Sequence, residues 1–402
     1  MRVTVPCKLP VRLFLADHLL RDRIGHHLGY NLALAEAAAR AGMTVSLVTH
    51  RAFDIPLAGG VSCRRIFRTD FRAAPASWIA ANHRLLTILE NWCDHRFGCD
   101  LRRFPAATKS DAIFAQMLAP RHFVRWLSWL GGHPSPPVLF LHLGYRPGRF
   151  AVPGISRALE CLSPGIRDRV IAVTDSEKLT GPFGRMLGTE VHYLPHVISY
   201  DIPPPEDRPA SKPLVVFVPG NARREKGFAE VVTAIGTLRG SGSSGPFHFM
   251  VQRHDPDPLC AGILRRGLPS GDGIEWIDRP LSDKEYLERL GRSDVVLLPY
   301  HLDCYELRTS GIFCEARVAG KPVIASRNSW AGDRIGREGG GWLVEERDAA
   351  GLARALMSVP PEFCAKSAEA RAISSGARSE FHRDAFVSGL VKLCALIPHA
   401  GN

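Results

Sequence analysis

Residues 214–240 read LVVFVPGNARREKGFAEVVTAIGTLRG, and the order of residue types is that of one parallel α/β unit. The five-residue apolar run is the mark of a strand covered on both faces. A proline–glycine turn follows, and GFAEVVTAIGTLRG then has the apolar spacing of a helix. Just upstream, HVISYDIPPPEDRPASKP (196–213) carries five prolines and several charges, which sustain neither a helix nor a central strand. Downstream the alternation goes on. HFMVQ, IEWID, DVVLLPY, PVIAS and GGWLVE read as strands, and DKEYLERLGRS, SGIFCEARVAG and AAGLARALMSV read as helices. GSGSSG (240–245) reads as a flexible surface loop.

The same alternation precedes the proline-rich stretch. VRLFLAD (11–17) is a strand, IGHHLGY a glycine turn, NLALAEAAARAG a helix stopped at Gly42, and MTVSLVTH a second strand. VLFLHLG (138–144) and RVIAVTD (169–175) repeat the strand signature, and residues 70–135 read as mostly helical. The fold class is therefore α/β, with two doubly wound parallel sheets. The expected domains are 1–198, a linker at 199–212, and 213–402.

The 402 residues exceed what a single hydrophobic core usually serves, in keeping with two domains. The formal charge is +11, and its distribution is uneven: residues 1–200 hold 25 Lys/Arg against 14 Asp/Glu, while the remainder balances at 26 and 26. A uniform basic coat for nucleic acid is excluded, and no nucleic-acid module is recognisable. One half faces something acidic or merely stays soluble that way, and an anionic membrane surface would suit the asymmetry. Ten scattered cysteines form no C-x-x-C pair and no zinc spacing, which favours a reducing cytosol. No secretory leader or apolar span of 18 residues is read in the sequence.

Open parallel sheets bind ligands beyond the carboxyl ends of their strands. After strand 214–218 come Gly220, Arg223, Arg224 and Lys226, where a glycine admits close backbone approach and three cations would neutralise a diphosphate. After strand 295–300 come Glu306, Arg308, Thr309, Ser310 and Gly311, the last two at a helix start whose amides collect phosphate oxygens. Glu315 lies one turn further, placed to accept two ribose hydroxyls. In the first half His142 ends a strand, and His26, His27, Tyr145 and Arg146 sit at other strand ends. Asp255-Pro256-Asp257 spells D-x-D, a metal-holding motif of an unrelated fold, and is set aside as coincidence inside a Pro-flanked loop. No other carboxylate cluster suggests a metal site. FVRWLSWLGG, with Trp126 and Trp129 beside Arg121 and Arg125, reads as a core helix rather than a membrane-surface one.

The segment S-G-x-x-x-E-A-x-x-x-G-K-P-V-I from Ser310 to Ile324 resembles the C-terminal signature of the retaining, GT-B-fold glycosyltransferases of group 1, or family 4. Arg223-Arg224-Glu225-Lys226-Gly227 is similar to that family's phosphate loop, and Gly25-His26-His27-Leu28-Gly29 to its glycine-rich acceptor-side loop. The resemblance implies two Rossmann-like domains facing across a cleft, with the C-terminal helix returning to the first. It implies a nucleotide-diphosphate sugar as donor substrate, no cofactor and no metal, and a saccharide, lipid-linked or other hydroxyl acceptor. Roles follow residue by residue: His142 beside the reactive sugar carbon, Lys226 and Arg308 on the leaving diphosphate, and Gly220, Arg223, Arg224, Ser310, Gly311, Glu315, Gly25 and Glu306 around the donor. Two departures stand out. The family's first glutamate falls at Leu307, with Glu306 one residue off, and the arginine expected after the loop glycine is Asn221. A nucleotide-sugar epimerase on the same fold, or a nucleotide-sugar-binding protein without turnover, are the alternatives. The expected setting is surface polysaccharide or glycolipid assembly in the cytoplasm, peripheral at the inner membrane face.

Overall fold

A computed structural model describes residues 10–22, 27–57, 60–68, 83–116, 118, 120–144, 152–206, 212–240 and 246–398. The chain divides into two compact units, one of residues up to Ser199 together with those from Arg383 onward, the other Tyr200–His382.

The first unit holds a seven-stranded sheet, all parallel where paired. Its strands are β1 (Arg12–Asp17), β2 (Thr44–His50), β3 (Ser62–Phe67), β4 (Ala112–Ala115), β5 (Val138–His142), β6 (Val170–Thr174) and β7 (Val191–Tyr193), in the order β3-β2-β1-β4-β5-β6-β7. β4 and β5 are buried at every position, as strands covered on both faces must be. β4 lies inside the stretch expected to be helical, between the helices His83–Leu101 and Pro120–Gly131. In the second of these Phe123, Trp126, Leu127 and Leu130 are all buried, so its apolar face belongs to the core. The helix Arg383–Cys394 returns to this unit: Phe386, Val387 and Leu390 join Leu34, Ala38 and Phe114 in one cluster.

The second unit holds a six-stranded parallel sheet of β8 (Leu214–Val218), β9 (Phe247–Gln252), β10 (Ile274–Ile277), β11 (Val295–Leu298), β12 (Val323–Ser326) and β13 (Gly341–Val344), in the order β10-β9-β8-β11-β12-β13. Several of its helices start on side-chain caps. Ser282 and Glu285 form a reciprocal capping box, and Ser329 and Asp348 cap the helices that follow them. The last of these, Ala349–Glu380, runs straight through Pro360 and Pro361, where the sequence places a stop. Phe363, Ala370, Ser374 and Ala377 are buried beyond the prolines, and this packing outweighs the lost backbone bonds. The GSGSSG loop lies outside the described residues except for Gly240, which ends the helix Phe228–Gly240.

Candidate active site

In each sheet the strand order reverses once, between β1 and β4 in the first and between β8 and β11 in the second. Loops leaving such a pair of strands diverge and open a crevice for ligand. In the second unit these loops are 219–227 and 299–310. They are tied together where His301 N donates to Glu225 O at 2.9 Å. Gly227 lies against the other loop with φ +69°, and a Cβ there would sit 2.1 Å from Pro299 O. Gly220, with φ +102°, has the same logic toward a side chain: a Cβ would sit 2.5 Å from Lys226 Nζ and 3.5 Å from Ile312 Cδ1. The Lys226 ammonium is thus folded onto the Gly220 backbone beside the first turn of the helix Gly311–Val318. Gln252 holds this turn, its Oε1 accepting from Gly220 N at 2.6 Å.

Ser310 caps that helix, its Oγ accepting from Phe313 N at 3.2 Å. The hydroxyl is therefore engaged by its own helix, and the amides of the first turn are what remains for an anion. Burial brings the Lys226 ammonium down to about 8, with the charges of Arg223 and Arg308 adding to the shift and Glu225 and Asp255 opposing it. The Arg308 guanidinium lies over the Tyr305 ring at 5.4 Å. The two loops thus carry Gly220, Arg223, Lys226, Arg308, Ser310 and Gly311 to one end of the sheet.

Arg223 and Arg224 are held by carboxylates. Arg223 pairs with Asp255 at 2.6 Å, and Asn221 donates to the same oxygen at 2.6 Å. Arg224 pairs with Asp303 at 3.0 Å, which Arg347 shares at 3.2 Å. Asp257 accepts from Arg224 N and caps the helix Pro258–Arg266 through Cys260 N at 2.9 Å. Asp255-Pro256-Asp257, set aside as coincidence, shapes the cationic loop from outside. Asp–Pro before a helix is an N-cap signal that finds Asp257 in the sequence. Glu306 ends the short helix Leu302–Tyr305, its N donating to Leu302 O at 3.1 Å. Glu315 has company that no spacing announces: Tyr200 Oη donates to its Oε1 at 2.6 Å and Tyr286 Oη to its Oε2 at 2.5 Å.

In the first unit Asp17 ends β1, fully buried, and accepts from His27 Nδ1 at 2.8 Å, Asn31 Nδ2 at 2.9 Å and Leu19 N at 3.0 Å. Gln116, just past β4, donates to Asn31 Oδ1 at 2.7 Å. Burial works against charge on His27, yet the hydrogen bond and charge of Asp17 prevail and raise its pKa, so Nδ1 is the donor. A second cluster surrounds His142 at the end of β5. Its ring stacks on Phe114 at 5.6 Å, and Nε2 lies 4.0 Å from Asp175 Oδ1. His196 approaches the other Asp175 oxygen at 3.9 Å. Burial lowers the His142 pKa, Asp175 opposing and His196 adding to it, so the ring is neutral at pH 7. Tyr30 feels both clusters, its phenol raised by burial and then by Asp175 and Asp17. Asn31 is a polar residue on an otherwise apolar helix face, which is its signal in the sequence. Gly25, His26, Tyr145 and Arg146 lie outside the described residues. Among the described residues no group of three His, Cys, Asp or Glu side chains is arranged to hold a metal ion.

Residues 212–359 match the family model described as glycosyl transferases group 1. A curated relative, the glycogen synthase of Mycobacterium tuberculosis, is 27% identical over 175 residues, covering 43% of this chain and 40% of its own length. The chain therefore aligns with less than half of the curated relatives it matches. Among solved structures, sucrose-phosphate synthase from Thermosynechococcus elongatus is similar with a TM-score of 0.70 at 16% identity, over 95% of this chain and 98% of that one. Anabaena HepE, solved in complex with UDP, is similar with a TM-score of 0.62 at 13% identity, over 95% and 98%. At these identities the likeness carries the fold, which is GT-B with two Rossmann-like units.

Proposed function

We propose, on the premise that residues 212–359 are a group 1 glycosyltransferase domain, that this chain moves a sugar from a nucleotide-diphosphate donor to a hydroxyl acceptor with retention. The observation that carries the reading is the ammonium of Lys226 lodged between Gly220 and the start of the helix Gly311–Val318, at the point where strand order reverses. A cation made less basic by burial, with two arginines beside it, favours an anion that brings compensating charge. UDP in the similar HepE structure suits a nucleoside diphosphate as that anion.

In the proposed reaction the bond from the anomeric carbon to the diphosphate breaks as the acceptor oxygen bonds that carbon on the same face. The acceptor's proton passes to the departing phosphate oxygen. Lys226, Arg223, Arg308 and the amides at Ser310–Gly311 hold the negative charge that develops. His142, neutral at the end of β5, is assigned a hydrogen-bonding role in the first unit, and Glu315 takes the ribose hydroxyls. A thermal-shift screen of UDP-, GDP- and ADP-sugars tests the reading. One donor class should stabilise the chain, by about 2.7 kcal/mol at a hundred times its dissociation constant, and should be consumed with an acceptor. Glu315→Gln should weaken nucleotide binding roughly tenfold and turnover less, because the ribose contact is made equally in ground and transition states.

A second reading has its own observation. Asp17 with His27, and Asp175 with His142, supply paired acid and base groups at the strand ends of the first unit, as a nucleotide-sugar epimerase needs. Isomerised donor rather than glycosylated acceptor would be its product. Nucleotide-dependent stabilisation without any turnover would instead favour a binding protein, which Leu307 in place of a glutamate would suit. We place the acceptor on the basic first half and infer a polysaccharide or glycolipid precursor, handled at an anionic membrane surface from the cytoplasmic side. Sedimentation with anionic vesicles at low salt, lost in high salt, is the expected result; no sedimentation in either removes the membrane from the proposal.

A further inference from the structure

We propose that Tyr200 and Tyr286 are positioning residues that turn Glu315 into a reader of the ribose diol, one phenol fixing each carboxylate oxygen. The inference rests on the donor reading above and names two residues outside the glycosyltransferase signature. Both phenols donate to the same carboxylate, at 2.6 and 2.5 Å, and their rings lie 6.2 Å apart. Burial and then the Glu315 charge raise both phenol pKa values, so each hydroxyl keeps its proton and acts only as donor toward Glu315.

Each phenol stands on a fixed backbone. Tyr286 lies in the first turn of the helix Asp283–Arg292, whose start is locked by the Ser282–Glu285 capping box, and its ring packs on Phe217 at 5.8 Å. Tyr200 opens a strap that Arg378 pins by donating to Ile202 O at 2.5 Å and Pro203 O at 3.1 Å. The strap runs beside the helix Gly311–Val318, with Tyr200 at Glu315 and Pro205 against Gly320, where a Cβ would meet Pro205 Cβ at 2.7 Å. An ionised carboxylate has about four acceptor positions, two on each oxygen. One phenol on each oxygen sets the carboxylate plane and favours a ligand that presents two hydroxyls side by side. A lone glutamate on a helix can rotate about its side-chain bonds, and such rotation would blur the distinction between a diol and a single hydroxyl.

The test measures binding of UDP, GDP and ADP, each beside its 2′-deoxy counterpart, to the full chain by calorimetry. For whichever base binds, the wild type should prefer the ribonucleotide about tenfold or more, the size expected of a hydrogen bond to a charged group. In Tyr200→Phe and Tyr286→Phe that preference should fall below about threefold, and Glu315→Gln should match them. Phenylalanine keeps the ring, so general loosening of the fold would weaken both nucleotides alike and leave the ratio unmoved. Tyr200→Phe preserves the test if Tyr286→Phe does not fold. An unchanged ratio in the tyrosine variants alongside a reduced one in Glu315→Gln overturns this inference and leaves the ribose assignment standing. An unchanged ratio in all three overturns the ribose assignment and the inference with it.

Discussion

Lys226→Ala lowers sugar transfer by about 10²–10³ at saturating donor, the cost typical of removing one preorganised donor from a developing oxyanion. The variant should fold, because Lys226 is half-buried and among the described residues makes no ion pair whose partner would be stranded. Its removal even relieves the ligand-free protein. The folded ammonium titrates near 8, below the usual lysine value, so between about 8 and 10.5 the unfolded chain binds more protons than the folded one. Stability therefore rises with pH across that window, and the penalty is fully present below it. Lys226→Met should unfold at higher denaturant at pH 7 while losing transfer. Nucleotide affinity should run the other way, falling as pH rises through 8 because Lys226 adds its charge to the phosphate site only while protonated. If Lys226→Ala transfers sugar at the wild-type rate, the diphosphate lies elsewhere.

Gly227→Ala should destabilise the second unit by more than about 3 kcal/mol, from two costs that add. The backbone there has φ +69°, where an L side chain costs roughly 1–2 kcal/mol. The new Cβ would also fall 2.1 Å from Pro299 O, and the obstacle is backbone that can yield only by moving the whole loop 299–310. That loop carries Arg308 and the start of the helix Gly311–Val318, so nucleotide affinity should fall along with stability. Gly188→Ala separates the two costs, since Gly188 has φ +64° and nothing within 4 Å of a Cβ. Urea unfolding should show the full loss for Gly227 and only the conformational part for Gly188. Equal losses would mean the loops are not in contact.

The periodicity of the chain shows β1, β2, β5 and β6 of the first sheet and β8, β9, β11 and β12 of the second plainly, because a strand covered on both faces must be an unbroken apolar run. It misses β3, β4 and β7 for three different reasons. SCRRIF in β3 carries exposed Arg64 and Arg65, AIFA in β4 is only four residues inside a helical stretch, and VHY in β7 is three residues long. The loops 219–227 and 299–310 are legible because their residues are neighbours in the chain. What shapes them is not. Tyr200 reaches Glu315 across 115 positions and Asp255 reaches Arg223 across 32, and only the fold brings such pairs together. The buried Asp17–His27–Asn31–Gln116 chain is hidden in the same way, since its ends are 99 residues apart.

The return of the helix Arg383–Cys394 to the first unit makes the second unit an insertion in the order of synthesis. When a ribosome has finished residue 382, every strand of the first sheet has been made, yet the floor that Phe386, Val387 and Leu390 lay beneath Leu34, Ala38 and Phe114 has not. The second unit is by then complete and free to fold alone. Translation thus finishes the second unit while the first still has an open apolar face, and that interval is when a nascent chain of this kind most needs a chaperone.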